Sequence, residues 1–302
     1  MARRVFFSLK YKEDVSRAMV VRNSWVAQGK EAAGFIDAAD FEKLEDLKSI
    51  AEKTLNYDVL LESVNSILNE KWCESIKLGS EVEDNKFEEL SFVRNTFDKK
   101  LRFKIGGCGA KNDIRVVFQN KVDVITLPMA ESRYAIENFL ENIEIYRKTQ
   151  TPFPILAMNI ETMTIANNLP DVKDLLSNFS SFTIGRSDLS GSMNVNVNDP
   201  LVDKKISEIL DFIHHNFPTA KISIGGKITP KAAIHLYENF KDQFNFLNTK
   251  FIYILPDENI EVIVLKALEL EILLYALFYY NDYRNKDEFI DFAKNNMNRM
   301  NS

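Results

Sequence analysis

The 302-residue chain has few cysteines, glycines and prolines, and only three histidines. Its two cysteines, Cys73 and Cys108, are too few for a disulfide scaffold or a cysteine metal cluster, and they fit a reducing compartment. With 10 glycines and 8 prolines, the composition is neither collagen-like nor typical of disorder. The formal net charge of −6, from 44 acidic and 38 basic side chains, argues against a nucleic-acid partner.

Long apolar runs are also absent. The N-terminal run at residues 5–9 is too short for the core of a signal peptide. The most apolar stretch, residues 260–280, is interrupted by Glu261, Lys266, Glu269 and Glu271, and its uncharged part is about half of the roughly 20 residues that a membrane span needs. We therefore expect a soluble, cytoplasmic protein with no membrane partner, in which this helix is buried or forms the interface of a homo-oligomer.

Short apolar runs alternate with longer amphipathic segments from residue 73 onward. Each run is too short for a helix, and several are apolar at consecutive positions, which is typical of strands covered on both faces. The seven runs are 73–78, 101–105, 122–128, 154–160, 179–184, 220–224 and 250–255. The segments between them are long enough for crossover helices, and the first run is not followed by a glycine-rich phosphate turn. The pattern predicts an α/β fold, a (β/α) TIM-type barrel, rather than an open doubly wound sheet.

Two carboxylates fall at the carboxyl ends of consecutive predicted strands. Glu161 ends the fourth run, and Asp188 follows the fifth. Neighbouring strand ends lie about 5 Å apart, so both side chains can reach one hard cation, and such an ion with open positions could stabilise an enolate. The alternative is that both residues cap helices or satisfy loop amides.

Other residues at these strand ends suit an anionic ligand. Lys104 ends the second run, and Arg186 lies two residues before Asp188. Each has two interpretations: Lys104 is a cation for an anionic substrate or a side chain that reaches solvent at the rim, and Arg186 is a substrate clamp or an ion-pair partner. Gly106 and Gly107 allow close approach of a ligand to the backbone, or form a tight turn.

The histidines are predicted to lie on helices, away from the strand ends. His214 and His215 come late in one predicted helix, and His235 lies in the next. The pattern therefore offers no histidine base at the barrel mouth, and neither cysteine has a histidine nearby.

Four segments resemble a known family. They are Lys104-Ile105-Gly106-Gly107-Cys108, Leu127-Pro128-Met129-Ala130-Glu131-Ser132, Asn159-Ile160-Glu161-Thr162 and the stretch from Ile184 to Met193, which reads IGRSDLSGSM. In order and spacing, over about residues 70–280, they resemble the HpcH/HpaI aldolase and citrate lyase family of the phosphoenolpyruvate/pyruvate barrel superfamily. The resemblance implies that Glu161 and Asp188 bind Mg²⁺ or Mn²⁺. It also implies that a carbon–carbon bond is cleaved or formed next to a pyruvate-like or acyl enolate, and that subunits assemble through the last helix.

The chain departs from the family pattern at several positions. The family's acid/base histidine has no counterpart, and the arginine that grips the substrate carboxylate is replaced by Lys104, a point charge instead of a bidentate fork. Gly109 stands where a glutamate is expected, and of the two glutamates expected in the early strand–loop only Glu81 remains, with Gly79 at the other position. Proton transfer would then fall to Glu131, to Glu81 or to a metal-bound water.

The first 45 residues have a separate resemblance. The segments around Val5–Ser8, Val20–Trp25 and Ala33–Ala38 are similar to the opening of Thoeris-type TIR-like proteins. A fragment of this length cannot bury a core of its own. We therefore expect residues 1–45 to be a non-autonomous strand–helix appendage, with residues 5–9 able to supply a missing barrel strand, and residues 46–302 to form the barrel.

The sequence thus predicts an enzyme. The predicted activity is a metal-dependent carbon–carbon lyase, aldolase- or citrate lyase-like, acting on a 2-oxo acid or related acyl substrate. Lys104, Arg186, Glu131 and Glu81 are its candidate catalytic residues, and Lys104, Arg186, Gly106 and Gly107 its candidate substrate-binding residues. Two alternatives remain open: a barrel without catalysis that binds a small anion as a regulatory module, and a TIR-like protein that processes NAD.

Overall fold

The structure, a computed structural model, describes residues 56–147 and 151–302. Eight strands lie in this part of the chain: β1 (Cys73–Gly79), β2 (Leu101–Lys104), β3 (Val124–Leu127), β4 (Ile155–Ile160), β5 (Ser181–Gly185), β6 (Lys221–Gly225), β7 (Phe246–Asn248) and β8 (Ile252–Ile254). The helices are α1 (Tyr57–Leu68), α2 (Phe87–Thr96), α3 (Lys111–Gln119), α4 (Arg133–Arg147), α5 (Met163–Asn168), α6 (Lys173–Leu176), α7 (Arg186–Met193), α8 (Pro200–Asn216), α9 (Pro230–Phe240), α10 (Ile260–Tyr280) and α11 (Lys286–Met300), with a 3-10 turn at Leu169–Val172.

The strands form a closed barrel in the order β1 to β8. Strands β1 to β7 pair in parallel, which confirms the predicted (β/α) barrel, but β8 runs antiparallel to both β7 and β1. The expectation of seven parallel βα units was therefore wrong at its last member. Residues 249–251 are too few for a crossover helix, so the chain turns back as a hairpin.

The barrel helices begin and pack as their sequences indicate. Thr229 caps α9, since its hydroxyl accepts a hydrogen bond from the Ala232 amide (3.2 Å), and Pro230 occupies the first turn. On α8 the buried side chains recur every three or four residues: Val202, Ile206, Ile209, Leu210 and Ile213. Each such side chain contributes roughly 1.5–3 kcal/mol when it is fully buried.

The interior of the barrel is largely polar. The strands are buried on both faces, as predicted, but the side chains that point inward include Ser75, Arg102, Lys104, Thr126, Asn159, Ser181, Thr183, Ser223, Asn248 and Tyr253. Several of them satisfy one another: the Thr183 hydroxyl lies 2.8 Å from the Ser223 hydroxyl and 3.1 Å from the Tyr253 hydroxyl. Because buried hydroxyls must be paired, this network offsets the cost of a polar core.

The chain divides into two compact units, and the barrel unit comprises Lys71–Ala267 with Ser302. The other unit includes, among the described residues, 56–70 and Leu268–Asn301, which form a helical cluster. There the Tyr275 and Phe292 rings stack at 4.2 Å, and the fully buried Glu271 accepts hydrogen bonds from Asn296 (2.8 Å) and Arg299 (3.2 Å).

Residues 270–280 of α10 are buried within the single chain, as one of the two interpretations of this stretch predicted. Association of subunits through this helix stays a prediction. Within residues 56–147 and 151–302, no helix is long and apolar enough to span a membrane.

The appendage predicted for residues 1–45, its TIR-like character and its boundary with the barrel lie outside the described residues, and they stay predictions. The suggestion that residues 5–9 supply a missing strand is not needed, because the ring already closes with β1 to β8. Its eighth member is β7, which has only three residues and was missed in the sequence.

Candidate active site

The carboxyl ends of the parallel strands bring together six charged side chains: Lys77, Glu81, Glu83, Lys104, Glu161 and Asp188, here called the mouth cluster. Their ion pairs and mutual electrostatic interactions join all six. Four of them, Glu81, Lys104, Glu161 and Asp188, were predicted from the sequence. Such a concentration of charge at the C-terminal face is where barrel enzymes place their chemistry.

Glu161 follows β4 and is 3% exposed. One carboxylate oxygen accepts a hydrogen bond from the Met129 amide (2.8 Å), and the other accepts one from the Asn159 side chain (3.0 Å). Met129 has a left-handed backbone (φ 49°), which is uncommon for a residue with a side chain. Burial raises the pKa of Glu161 above its usual value, and the charge of Asp188 adds to this.

Gly185 makes room for Glu161. A Cβ atom on residue 185 would lie 2.7 Å from the Glu161 Cβ and 2.8 Å from its Oε2. Any larger residue at this position would push the carboxylate aside, so the glycine at the end of β5 is part of how Glu161 is placed.

Asp188 lies in the first turn of α7, and it is exposed. Partial burial of its carboxyl raises its pKa, Lys104 opposes that shift, and the negative charges of Glu81 and Glu83 reinforce it. Both predicted metal ligands are therefore carboxylates that their surroundings make costly to ionise.

Lys104 ends β2 and is 7% exposed. Its ammonium nitrogen lies 2.7 Å from Glu81 Oε2 and 3.0 Å from Glu83 Oε2. Burial acts to lower the pKa of Lys104, but Glu83, Glu81 and the more distant Glu161 together raise it above its usual value. The side chain is therefore a permanent cation.

Glu83 and Lys77 were missed in the sequence. Glu83 is 4% exposed, and its second oxygen lies 2.8 Å from the Lys77 ammonium. Burial acts to raise the pKa of Glu83, but Lys77 and Lys104 lower it to about 2. A signal for Lys77 was available: it precedes Gly79 by two residues, so both lie on the inward-facing side of β1. None was available for Glu83, which lies in an irregular loop.

The donor set fits a divalent cation. Four carboxylates face two ammonium groups in the mouth cluster, an excess of two negative charges. In the described part of the chain, neither Glu161 nor Asp188 forms an ion pair with a Lys, Arg or His side chain, and no group of three or more His, Cys, Asp or Glu residues is arranged to hold a metal. Mg²⁺ is usually held in proteins through one or two carboxylates, which is the number that Glu161 and Asp188 supply here.

The Gly106–Gly107 turn is only partly free. The Gly106 amide donates to Asp113 Oδ2 (2.8 Å), and the Ser80 hydroxyl bonds to the same oxygen. This amide is therefore already used within the protein. Gly107 has φ 139° and open space where a side chain would be, so close approach of a ligand to it stays a prediction.

Arg186 and Glu131 stand apart from the mouth cluster. Arg186 is 1% exposed, and its Nη2 donates to the Val197 carbonyl and the Asn198 side chain (both 3.1 Å). Its Nε and Nη1 have no hydrogen-bond partner among the described residues, and burial lowers its pKa. It does not pair with Asp188. Glu131 is exposed in the loop after β3.

The histidines and cysteines lie where the sequence indicated. His214 and His215 end α8, and His235 lies on α9, where it contacts Asp203 (2.7 Å). Cys73 is buried in β1, and Cys108 is half-buried in the glycine loop. None of these five residues belongs to the mouth cluster.

No protein-family model and no curated protein matches the chain. Solved structures do match. An HpcH/HpaI aldolase/citrate lyase family protein from Burkholderia cenocepacia J2315 is 8% identical, with a TM-score of 0.52, over 63% of this chain and 82% of its own. A citrate lyase from Burkholderia xenovorans LB400 is 14% identical, with a TM-score of 0.51, over 80% and 89%.

The fold is that of the HpcH/HpaI aldolase and citrate lyase barrels. The citrate synthase SbnG has it too, at 13% identity and a TM-score of 0.50, over 63% of this chain and 81% of its own. At such identities the likeness to these barrels establishes the fold, and function must be argued from the site.

Proposed function

We propose that the protein is a carbon–carbon lyase, aldolase- or citrate lyase-like, that acts on a 2-oxo acid or related acyl substrate through an enolate. One observation carries the proposal: two carboxylates without a cationic partner, Glu161 and Asp188, lie beside the permanent cation Lys104 at the carboxyl end of a closed barrel. An enolate is stabilised by positive charge held in a fixed position. Lys104 supplies one such charge, and the two carboxylates could hold a metal cation that supplies another.

Glu161 and Asp188 would hold the Mg²⁺ or Mn²⁺ ion, which supplies Lewis-acid stabilisation of the enolate oxygen when it is bound. The chain fixes Glu161 through the Met129 amide and the Asn159 side chain, so that this carboxylate stays oriented. The raised pKa values show that two bare negative charges are costly at this site. A bound cation would offset that cost.

Lys104 would attract the anionic group of the substrate. A primary amine at the end of a barrel strand could instead form a Schiff base, but a nucleophilic lysine must be neutral, and the raised pKa of Lys104 keeps it charged. Arg186 has two guanidinium nitrogens, Nε and Nη1, without a hydrogen-bond partner among the described residues, and it is a second candidate for the substrate anion.

Proton transfer we assign to Glu81 rather than to Glu131. Glu81 contacts Lys104 at 2.7 Å within the mouth cluster, and its side chain is 26% exposed, so water reaches it. Glu131 is exposed on a neighbouring loop, outside the cluster.

The test measures enolate formation without requiring the complete substrate. Pyruvate and acetyl-CoA are each incubated with the full chain and Mg²⁺ or Mn²⁺ in D₂O, and NMR follows loss of the methyl protons. We expect exchange above the buffer rate, reduced at least about 100-fold in Glu161→Gln and Asp188→Asn, because even groups that only orient metal ligands contribute about 10–100-fold.

Direct titration with Mn²⁺ completes the test. Wild type should bind the ion, the two variants should bind it at least about 100-fold more weakly, and Glu137→Gln, a charge-matched change on the exposed face of α4, should bind it normally. Equal affinity in all four proteins would overturn the metal assignment.

A barrel that only binds a small anion is the second candidate. It is favoured by the engagement of Lys104 with two carboxylates and by the lack of a histidine in the mouth cluster. Oxalate binding without exchange of either probe would support this candidate and exclude the lyase.

A further inference from the structure

The loop after β1 folds back over the end of its own strand. The Asn85 side chain accepts a hydrogen bond from the Gly79 amide (3.0 Å), and the Asn85 amide donates to the Gly79 carbonyl (2.7 Å). Asn85 in turn donates to Glu89 Oε2 at 2.7 Å. These bonds fix the loop so that Glu83, two residues before Asn85, is directed into the barrel mouth.

Glu83 occupies the space that Gly79 leaves open. A Cβ atom on residue 79 would lie 2.9 Å from Glu83 Oε2, 2.9 Å from the Lys104 carbonyl oxygen and 3.0 Å from the Lys104 Cβ. A side chain on residue 79 and the Glu83 carboxylate therefore exclude one another. The absence of a side chain at residue 79 thus leaves room for a carboxylate that enters from the loop.

The two oxygens of Glu83 have different partners. Oε1 lies 2.8 Å from the Lys77 ammonium, and Oε2 lies 3.0 Å from the Lys104 ammonium. Glu81 also contacts Lys104, but its side chain is 26% exposed, against 4% for Glu83. A buried carboxylate that bridges two ammonium groups is costly to lose, whereas an exposed one can be exchanged with a ligand.

We propose that Glu83 is the positioning residue of this site: seated over Gly79, it holds both Lys77 and Lys104, while Glu81 is the exchangeable partner of Lys104. The importance of Lys104 in this arrangement rests on the proposed function. Glu83 itself does not touch substrate. It acts through Lys104, whose ammonium it keeps facing Glu161 and Asp188.

The experiment measures how readily each lysine reacts. The metal-free full-length protein is acetylated with a trace of acetic anhydride at pH 8, and mass spectrometry gives the rate at every lysine relative to Lys231, which is exposed on α9. In wild type we expect Lys77 and Lys104 to react at least about 10-fold more slowly than Lys231, because both are buried and form ion pairs whereas Lys231 is exposed.

Three variants separate the roles of the two glutamates. Glu83→Gln should raise the rates of both Lys77 and Lys104 by about 10-fold, whereas Glu81→Gln should raise that of Lys104 alone, and by less. Gly79→Ala removes no charge but displaces Glu83, and because its methyl group also crowds Lys104, its effect is read at Lys77, whose rate should rise as it does in Glu83→Gln. The buried Cys73 thiol should stay unreactive towards a disulfide reagent in every folded variant, which controls for unfolding.

Several results would overturn the proposal. They are an unchanged Lys77 in Glu83→Gln, the same pattern in Glu81→Gln as in Glu83→Gln, and wild-type Lys77 and Lys104 that react as fast as Lys231. The last measurement uses only the wild-type protein, so it can contradict the proposal even if a variant does not fold. Because labelling needs no turnover, a correct labelling pattern without methyl exchange would leave Glu83 as the positioning residue and reject the lyase.

Discussion

The two ends of the barrel differ in how far cationic side chains balance the charge of their carboxylates. At the end where the parallel strands begin, Glu74 lies 2.7 Å from Lys100 and 3.0 Å from Arg102; these three residues are here called the floor cluster. Burial acts to raise the pKa of Glu74, but its two cationic partners lower it. The Arg102 guanidinium also lies 4.0 Å from the centre of the Tyr253 ring. The carboxylate of the floor cluster is thus fully compensated.

The mouth cluster keeps an excess of negative charge instead. Burial raises the pKa of Glu161 and that of Asp188, and nearby negative charges add to the shift; Lys104 opposes it, but its ammonium is also in contact with Glu81 and Glu83. The same fold therefore holds two carboxylates whose ionised forms stabilise the protein, Glu74 and Glu83, and two whose ionised forms cost stability, Glu161 and Asp188. Carboxylates of the second kind cluster at functional sites, where a ligand supplies the missing charge.

The largest effect should come from the floor cluster. Glu74→Gln leaves the guanidinium of Arg102 buried without its carboxylate, and we expect the free energy of unfolding to fall by about 3–4 kcal/mol in urea titrations. Asp174→Asn, which breaks an exposed ion pair with Arg133, should leave the free energy of unfolding close to that of wild type. Mn²⁺ affinity should be unchanged in both. If Glu74→Gln were as stable as wild type, the carboxylate of the floor cluster would not stabilise the fold, and the proposed difference between the two ends would be wrong.

The second-largest effect is the loss, at acid pH, of the stability that Glu83 contributes. Because the pKa of Glu83 is about 2 in the folded protein and 4.5 ordinarily, its stabilisation is complete above about pH 4.5 and is lost as the pH falls towards 2. We expect wild type to exceed Glu83→Gln by about 2–3 kcal/mol at pH 6, with the difference vanishing near pH 2. Urea unfolding across this range measures it. A difference independent of pH would mean that Glu83 does not carry the charge.

The smallest effect has the opposite sign. The raised pKa of Glu161 means that its ionised form costs stability at neutral pH, and that the cost disappears once the carboxyl is protonated in both the folded and unfolded states, below about pH 4.5. We expect Glu161→Gln to stabilise the metal-free protein by about 1 kcal/mol at pH 7, which would raise its Tm by roughly 2–4 °C. Scanning calorimetry in EDTA at pH 7 and pH 4 measures this, with Glu137→Gln as control. If Glu161→Gln instead destabilises the protein at pH 7, then the ionised carboxylate of Glu161 stabilises the fold, as that of Glu74 does.

The sequence was sufficient for most of the barrel because its strands are short, apolar and separated by amphipathic segments. It failed at β7 and β8. Three residues, Phe246–Asn248, are too few to produce a recognisable pattern, and the direction of β8 depends on the length of a turn rather than on strand composition. The periodicity of apolar residues indicates which faces of a strand are buried, but it does not indicate whether the strand runs parallel or antiparallel to its neighbours.

The site was predictable where strand ends fix position. Glu161 and Lys104 end strands and Asp188 opens a helix, so topology brings them together. Glu83 depends instead on the hydrogen bonds that Asn85 makes across a loop, and Arg186 on which way one side chain turns after β5. Loop conformation and side-chain direction follow from tertiary contacts that no local pattern encodes.

The reversed eighth strand decides how this mouth could be remodelled. In a fully parallel barrel, eight connecting loops are available for insertions that reshape substrate recognition. Here seven parallel strands end at the mouth, and the connection after the seventh is the short turn at residues 249–251, where the Thr249 amide donates a hydrogen bond to the Ile252 carbonyl (2.9 Å). Lengthening that turn would weaken the β7–β8 pairing that closes the ring, so diversification of specificity is confined to the six connections after β1 to β6.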